Sequence, residues 1–97
     1  MPAYVTLFKF TDQGIRTVKD SPARLEAVTK SIEASGGKVL CAYYTLGEYD
    51  VVTITEMPDE ATGVASILSV GMKGNVRTTT LRAYTPAEFG EILTKVP

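Results

Sequence analysis

The sequence predicts an α+β fold of the order βαββαβ, completed by a short C-terminal helix. Four stretches alternate with the period of two that β-strands show, and two others carry apolar residues at helical spacing between start and stop signals. The pair Gly47-Glu48 separates two of the strand-like stretches so closely that we expect them to form a hairpin.

The first strand is predicted over residues 3–10, where four β-formers share one face and Val5 and Leu7 share the other; the four are Tyr4, Thr6, Phe8 and Phe10. Residues 11–20 follow as a long polar connection. Ser21-Pro22 begins the first helix, and Gly36-Gly37 ends it. Its inward stripe is Leu25, Val28 and Ile32, and its outward residues are Arg24, Glu26, Lys30 and Glu33.

The hairpin strands are predicted over residues 38–46 and 49–56, around the turn Gly47-Glu48-Tyr49-Asp50. Asp59 caps a second helix, which Gly71 ends and whose predicted buried stripe is Ala61, Val64, Ala65 and Leu68. The last strand covers residues 76–84, and Thr85-Pro86 begins a helix that runs to about residue 94. Phe89, Ile92, Leu93 and Val96 are expected to pack the inner side of that helix.

Length and charge exclude several classes of protein. The 97 residues make one domain, and ten basic against eleven acidic side chains leave a net charge of -1, unlike a nucleic-acid or anionic-membrane binder. There is no apolar run of the roughly 20 residues that cross a membrane and no signal peptide, so we expect a cytoplasmic protein. With no histidine and only Cys41, we expect no metal site, no disulfide and no cofactor.

Right-handed crossovers place the four strands in the spatial order 4-1-3-2, with two helices on one face, which is a ferredoxin-like arrangement. In that topology residues 11–20, 47–50 and 71–77 meet at one end of the sheet. The candidate site residues carried there are Asp12, Arg16, Lys19, Tyr49, Asp50, Lys73, Asn75 and Arg77. We expect any site to lie at this end.

The two faces of the sheet are assigned by their side chains. We expect the aliphatic set, which includes Val5, Leu7, Val52, Ile54, Leu81 and Ala83, to face the helices. The other face is then too rich in aromatic and β-branched side chains to stay in water over a whole sheet. It carries Tyr4, Thr6, Phe8, Phe10, Val39, Cys41, Tyr43, Val51, Thr53, Thr78, Thr80, Arg82 and Tyr84. A second subunit is expected to cover it and to leave a pocket lined by side chains such as Tyr43 and Arg82. The chain should therefore be a homodimer or a higher homo-oligomer.

Asp50, Arg77 and Tyr49 each keep two interpretations, and Arg82 keeps three. Asp50 either transfers a proton or fixes the turn, and Arg77 either holds a ligand anion or pairs with Asp50. Tyr49 either presents its hydroxyl to a pocket or packs in a subunit interface. Arg82 needs a partner carboxylate, a bound anion or an escape to the sheet edge. Residues 71–75 are a weak candidate for an anion site.

Three blocks, which lie in the order residues 10–16, 47–50 and 74–82, resemble the GYD-domain family. The blocks read FTDQGIR, GEYD and GNVRTTTLR, and the likeness covers nearly the whole chain. The resemblance implies a dimeric α+β barrel. It implies no activity, since members of that fold class include cofactor-free monooxygenases, haem-dependent enzymes and ligand-sensing modules.

The leading prediction is a non-enzymatic homo-oligomer that binds a small, anionic molecule or assembles through its sheet face. Its expected ligand-binding residues are Arg16, Tyr43, Asn75, Arg77 and Arg82. The first alternative is a cofactor-free monooxygenase or isomerase in which Asp50 or Tyr49 moves a proton. The second alternative is a regulatory or scaffold module.

Overall fold

The computed structural model describes residues 1–97 and contains one four-stranded antiparallel sheet. Its strands are β1 (Ala3–Phe10), β2 (Lys38–Tyr44), β3 (Val51–Glu56) and β4 (Val76–Ala83), in the order β2-β3-β1-β4. This order is the predicted 4-1-3-2 read from the other edge, so the ferredoxin-like α+β fold is confirmed. β2 ends two residues before its predicted limit, and β3 begins two residues after its predicted start. Residues 45–50 therefore form the connection.

Four helices accompany the sheet: α1 (Asp12–Arg16), α2 (Ser21–Ala34), α3 (Glu60–Met72) and α4 (Pro86–Leu93). The first was not predicted. Residues 11–20 were expected to be a loop, but Thr11 caps α1 by accepting the N–H of Gly14, and a 3₁₀ turn (Val18–Asp20) follows. Asp59 caps α3 as predicted, accepting the Thr62 N–H at 2.7 Å. No helix is long and apolar enough to cross a membrane.

The predicted assignment of the sheet faces is reversed for β1, β3 and β4. Cys41 and Tyr43 of β2 lie on the uncovered face, as predicted, because the register shifts between Val39 and Cys41. Six strand residues are buried and lie on the side of α2 and α3: Thr6, Phe8, Val51, Thr53, Thr55 and Val76. Val5, Leu7, Val52, Ile54 and Leu81 pair with one another across the strands on the opposite, uncovered face. Both sets are β-formers of similar bulk, so alternation identified the two faces but did not determine which one the helices cover.

The helices also differ from prediction in the side chains that they bury. On α3 the sheet side carries Gly63, Ile67 and Val70, whereas Val64 and Leu68 of the predicted stripe are 50% and 64% exposed. Position 63 favours glycine because the Cβ of a larger residue would lie only 3.0 Å from the Tyr4 ring. On α4 the predicted inner residues are all exposed; they are Phe89, Ile92, Leu93 and Val96. The last helix therefore leaves its apolar side unpacked within the single chain.

The core is thin for a domain of this size. Only 11 of the 97 residues are buried, and the largest fully buried side chain is that of Met57. Large apolar side chains are exposed instead on the uncovered sheet face, on α3 and on α4. The single chain therefore leaves apolar surface open on several of its elements.

Candidate functional site

The three segments expected to meet at one end of the sheet do so through backbone hydrogen bonds. The Thr11 N–H donates to the Asn75 carbonyl at 3.1 Å, and the Thr11 hydroxyl donates to the Gly74 carbonyl at 2.6 Å. The Gln13 amide donates to the side-chain oxygen of Asn75 at 3.0 Å. These bonds tie the start of α1 to the loop before β4.

The hairpin connection is tied to the same end by Asp50. Its N–H donates to the Phe8 carbonyl at 2.8 Å, and its carboxylate Oδ2 accepts the Phe10 N–H at 2.8 Å. Asp50 therefore continues the β3–β1 ladder beyond the last regular pair and holds the loop to β1. The predicted alternative of an Asp50–Arg77 ion pair is wrong, since the one salt bridge in the chain joins Lys30 and Glu26.

The residues around Asp50 have local roles in the connection. Gly47 has a φ of 106°, which a side chain would strain, and the Thr45 hydroxyl donates to the Tyr49 carbonyl at 2.6 Å. The Lys9 ammonium lies 5.8 Å from the centroid of the Tyr49 ring, at a distance typical of a cation–π contact.

The remaining predicted ligand residues do not converge. Arg16 is exposed on α1, and Arg77 is exposed beside Lys9 on the uncovered sheet face. Tyr43 is 65% exposed on that same face, in register with Val52. Of the five predicted ligand residues, only Asn75 lines a cavity.

Arg82 reaches the edge of the sheet, one of the three outcomes considered for it. It lies near the C-terminal end of β4, on the helix side of the sheet. Its guanidinium is 4.5 Å from the centroid of the Tyr84 ring and 5.7 Å from the centroid of the Tyr4 ring. It donates to the carbonyls of Ala3 and Ala83. The charge is thus held by aromatic faces and backbone oxygens, and no carboxylate pairs with it.

Two cavities lie side by side between the sheet and the helices, sharing Phe8, Leu25, Val28 and Val70. The inner cavity, about 150 Å³, is lined by Tyr4 and by the threonines of the covered face, together with α2 and α3. This cavity is distinct from the pocket that the sequence predicts between two subunits, because it lies under the chain's own helices and neither Tyr43 nor Arg82 lines it. The Tyr4 hydroxyl beside it is the one buried side-chain polar atom without a hydrogen-bond partner.

The outer cavity, about 130 Å³, lies at the end of the sheet where the three segments meet. Its walls are apolar, and its polar lining residues are Ser21, Arg24, Tyr44, Lys73 and Asn75. The Ser21 and Tyr44 hydroxyls lie 3.0 Å apart and link the start of α2 to the end of β2.

Sequence reasoning missed Arg24, because its helical position was assigned to the outward side. In the structure Arg24 is half-buried, and it donates to the carbonyls of Thr17 and Gly14 at 3.2 and 3.3 Å. The unpredicted helix α1 supplies the Gly14 acceptor. In retrospect, the one signal in the sequence is that Arg24 lies one helical turn after Ser21, which is buried.

Two exposed carboxylates have perturbed pKa values, and both are helix caps. The Thr62 N–H holds the pKa of Asp59 below its ordinary value, and the Thr85 N–H does the same for the pKa of Glu88. Both shifts belong to helix ends and neither group lines a cavity. No three His, Cys, Asp or Glu side chains are grouped as metal ligands.

These features define a ferredoxin-like α+β domain with an uncovered sheet face and small cavities beneath its helices. The GYD domain family matches residues 4–93, and the chain belongs to that family. It is 35% identical over 90 residues to the "Glutamine synthetase and cystathionine beta-lyase binding protein" of the bacterium Thermus thermophilus. That alignment covers 92% of this chain and 95% of the Thermus protein.

Proposed function

We propose that this chain is a self-associating cytoplasmic binding protein that docks on a metabolic enzyme through an exposed apolar strip of α3. The proposal rests on one observation: α3 has no charged residue between Glu60 and Lys73, yet Val64, Leu68 and Met72 of this helix are exposed. A surface helix normally turns charged residues to water, whereas a helix that is apolar around its whole circumference is normally buried.

The exposed apolar strip of α3 is defined here as Val64, Leu68 and Met72, of which Val64 and Leu68 also border the inner cavity. Their exposed fractions are 50%, 64% and 85%, and their spacing of four residues keeps them on one side of the helix. By contrast, α2 carries Glu26 and Lys30 on its outer side, joined by a salt bridge. The α3 strip is thus suited to an apolar groove on another protein.

The occupant is inferred from the Thermus relative, whose name states that it binds glutamine synthetase and cystathionine β-lyase. Since the two chains align over nearly their full lengths, we expect this chain to dock on an enzyme of one of those two kinds. This agrees with the regulatory alternative considered for the sequence.

Self-association is assigned to the uncovered sheet face. The strands have six to eight residues with a rise of about 3.3 Å per residue, and the four strands lie about 4.8 Å apart. The face therefore measures roughly 20 by 20 Å. That is about half of the roughly 800 Å² that each partner contributes to a standard interface. The exposed apolar side of α4 can supply the remainder, so a second copy packed sheet to sheet is the occupant that fits.

The docking proposal is tested with purified glutamine synthetase and cystathionine β-lyase from the chain's own source. Each enzyme is immobilised, and binding of the wild-type protein is measured by biolayer interferometry. The variant Leu68→Glu is expected to lose binding, while Leu46→Glu keeps it, because Leu46 is a fully exposed leucine of the hairpin connection. If neither enzyme binds, or if Leu68→Glu binds as well as the wild type, the docking proposal is wrong.

A second function, small-molecule binding, is favoured by the two adjoining cavities beneath the helices. Pockets that hold ligands are mostly apolar with a few convergent polar groups, and the outer cavity has that character. The enzymatic alternative is supported less well. It needs Asp50 or Tyr49 to move a proton, and the Asp50 carboxylate is engaged by the Phe10 N–H, while neither residue lines a cavity.

A further inference from the structure

The charges around the outer cavity are all of one sign. Arg24 and Lys73 line it, no aspartate or glutamate does, and neither cation forms a salt bridge. None of the eleven acidic residues of the chain lines this cavity. The rim of the cavity therefore complements an anion.

The guanidinium of Arg24 is fixed in place before any ligand arrives. One nitrogen, Nη1, donates to the Thr17 carbonyl and, at 2.9 Å, to the Thr17 hydroxyl, while Nη2 donates to the Gly14 carbonyl. All three acceptors are neutral, so these bonds restrain the side chain without cancelling its charge. A restrained cation loses less side-chain entropy when it binds an anion.

The size of the outer cavity limits the apolar part of the ligand. About 130 Å³ is well below the roughly 300–1,000 Å³ of pockets that hold drug-sized molecules. An apolar cavity of about 150 Å³ in another protein accepts benzene. The walls formed by Phe10, Val28 and Val76 thus suit a group no larger than a phenyl or isobutyl group.

We propose that the outer cavity binds a small carboxylic acid, with its apolar group between α2 and the sheet and its carboxylate at Arg24 and Lys73. The proposal deepens the small-molecule function proposed above and is independent of enzyme docking. A carboxylate is favoured over a larger anion because the planar edge formed by Nε–H and the second Nη2–H of Arg24, which the bonds to Thr17 and Gly14 leave open, matches its geometry. The Asn75 amide and the Ser21–Tyr44 hydroxyl pair offer further polar groups.

The test compares matched probes on ¹⁵N-labelled wild-type protein by NMR titration. Sodium 3-methylbutanoate and sodium benzoate are the expected ligands, 3-methylbutanamide removes the charge, and acetate removes the apolar group. Amide signals of residues that line the outer cavity alone, such as Phe10, Ser21 and Asn75, should move with the two acids. The amide and acetate should bind at least about tenfold more weakly, as expected for loss of a charge-assisted bond or of a buried apolar group.

Variants then locate the site. Lys73→Gln and Arg24→Gln should each weaken binding of 3-methylbutanoate by about tenfold, and Val28→Phe should block it by filling the cavity. Lys30→Gln is the matched control. Lys30 lies on α2, as Arg24 does, but it pairs with Glu26 and lines neither cavity. Since Lys73 is exposed, its variant is expected to fold even if Val28→Phe does not.

The outcomes separate the two levels of the proposal. If the acid and its amide bind equally well, the carboxylate assignment is overturned, while small-molecule binding stands. If no probe binds, or if Lys30→Gln weakens binding as much as Lys73→Gln, the site itself is overturned. The immobilised-enzyme experiment is read separately, so its result neither supports nor contradicts this site.

Discussion

At the scale of single residues, Asp50 shows how a carboxylate can serve the fold. Its Oδ2 accepts the Phe10 N–H, and its own N–H reaches Phe8, so one residue extends the β-ladder into the hairpin connection. Asp50→Ala removes the acceptor and should lower the free energy of unfolding by about 1–3 kcal/mol. Asp50→Asn keeps an acceptor and should cost less than about 1 kcal/mol. Urea unfolding measures both; equal losses would mean that the charge, and not the acceptor, matters.

Gly14 is the other residue on which this end of the sheet depends. A Cβ there would lie 1.9 Å from the Asn75 carbonyl oxygen, so the loop would have to move and the Thr11–Asn75 hydrogen bond would be disturbed. Gly14→Ala should therefore lower the free energy of unfolding by about 1–3 kcal/mol. Gly71→Ala is the control: it has open space and a helical position, so it should be neutral or stabilising by up to about 1 kcal/mol. The prediction fails if both substitutions have the same effect in urea unfolding.

At the scale of elements, the helix starts were predicted well because their signals are local. Asp59 and Thr85 each accept a backbone N–H three residues later, and Thr85 forms a full capping box with Glu88. The short helix α1 was missed because its stabilising contacts are distant in sequence, such as the bond from Gln13 to Asn75. Local patterns do not report such contacts.

The caps also make the helices sensitive to acid. Asp59 and Glu88 each accept a hydrogen bond from a backbone N–H, which lowers the pKa of Asp59 from 3.8 and that of Glu88 from 4.5. Each cap therefore stabilises the fold at pH values above the pKa that its carboxyl group has in the unfolded chain. That stability is lost as the pH falls through the lower, folded pKa. Asp59→Asn keeps an acceptor for Thr62, so its melting temperature should fall less than that of the wild type between about pH 5 and pH 3.

The matched control for the acid sensitivity is Glu33→Gln, because the Glu33 side chain makes no ion pair. Its melting temperature should follow that of the wild type across the same pH range. Thermal unfolding by circular dichroism is sufficient for the comparison. An unchanged acid slope in Asp59→Asn would contradict the assignment of this stability to the cap.

At the scale of the whole molecule, the sequence determined the strand order but not the covered face. Hydrophobic alternation separated Thr6 and Phe8 from Val5 and Leu7, and topology rules then gave the sheet order that the structure has. The choice of face depends on how α2 and α3 fit over the sheet, for example on Gly63 meeting the Tyr4 ring. For the same reason, residues of the outer cavity such as Arg24 could not be grouped from their sequence positions. Cavities form where helix and sheet surfaces fit imperfectly, and no pattern along the chain describes that fit.

The uncovered face leads to the last prediction. Leu7 lies at its centre, between Val52 and Thr79, and a lysine there would place a charge inside a sheet-to-sheet contact. We expect the wild-type protein to sediment at twice the chain mass of 10.5 kDa and Leu7→Lys to sediment at the chain mass, with an unchanged circular dichroism spectrum. Leu46→Lys should remain dimeric because Leu46 is 101% exposed on the hairpin connection. A wild-type monomer at all concentrations, or a dimeric Leu7→Lys, would show that the uncovered face does not hold a second copy.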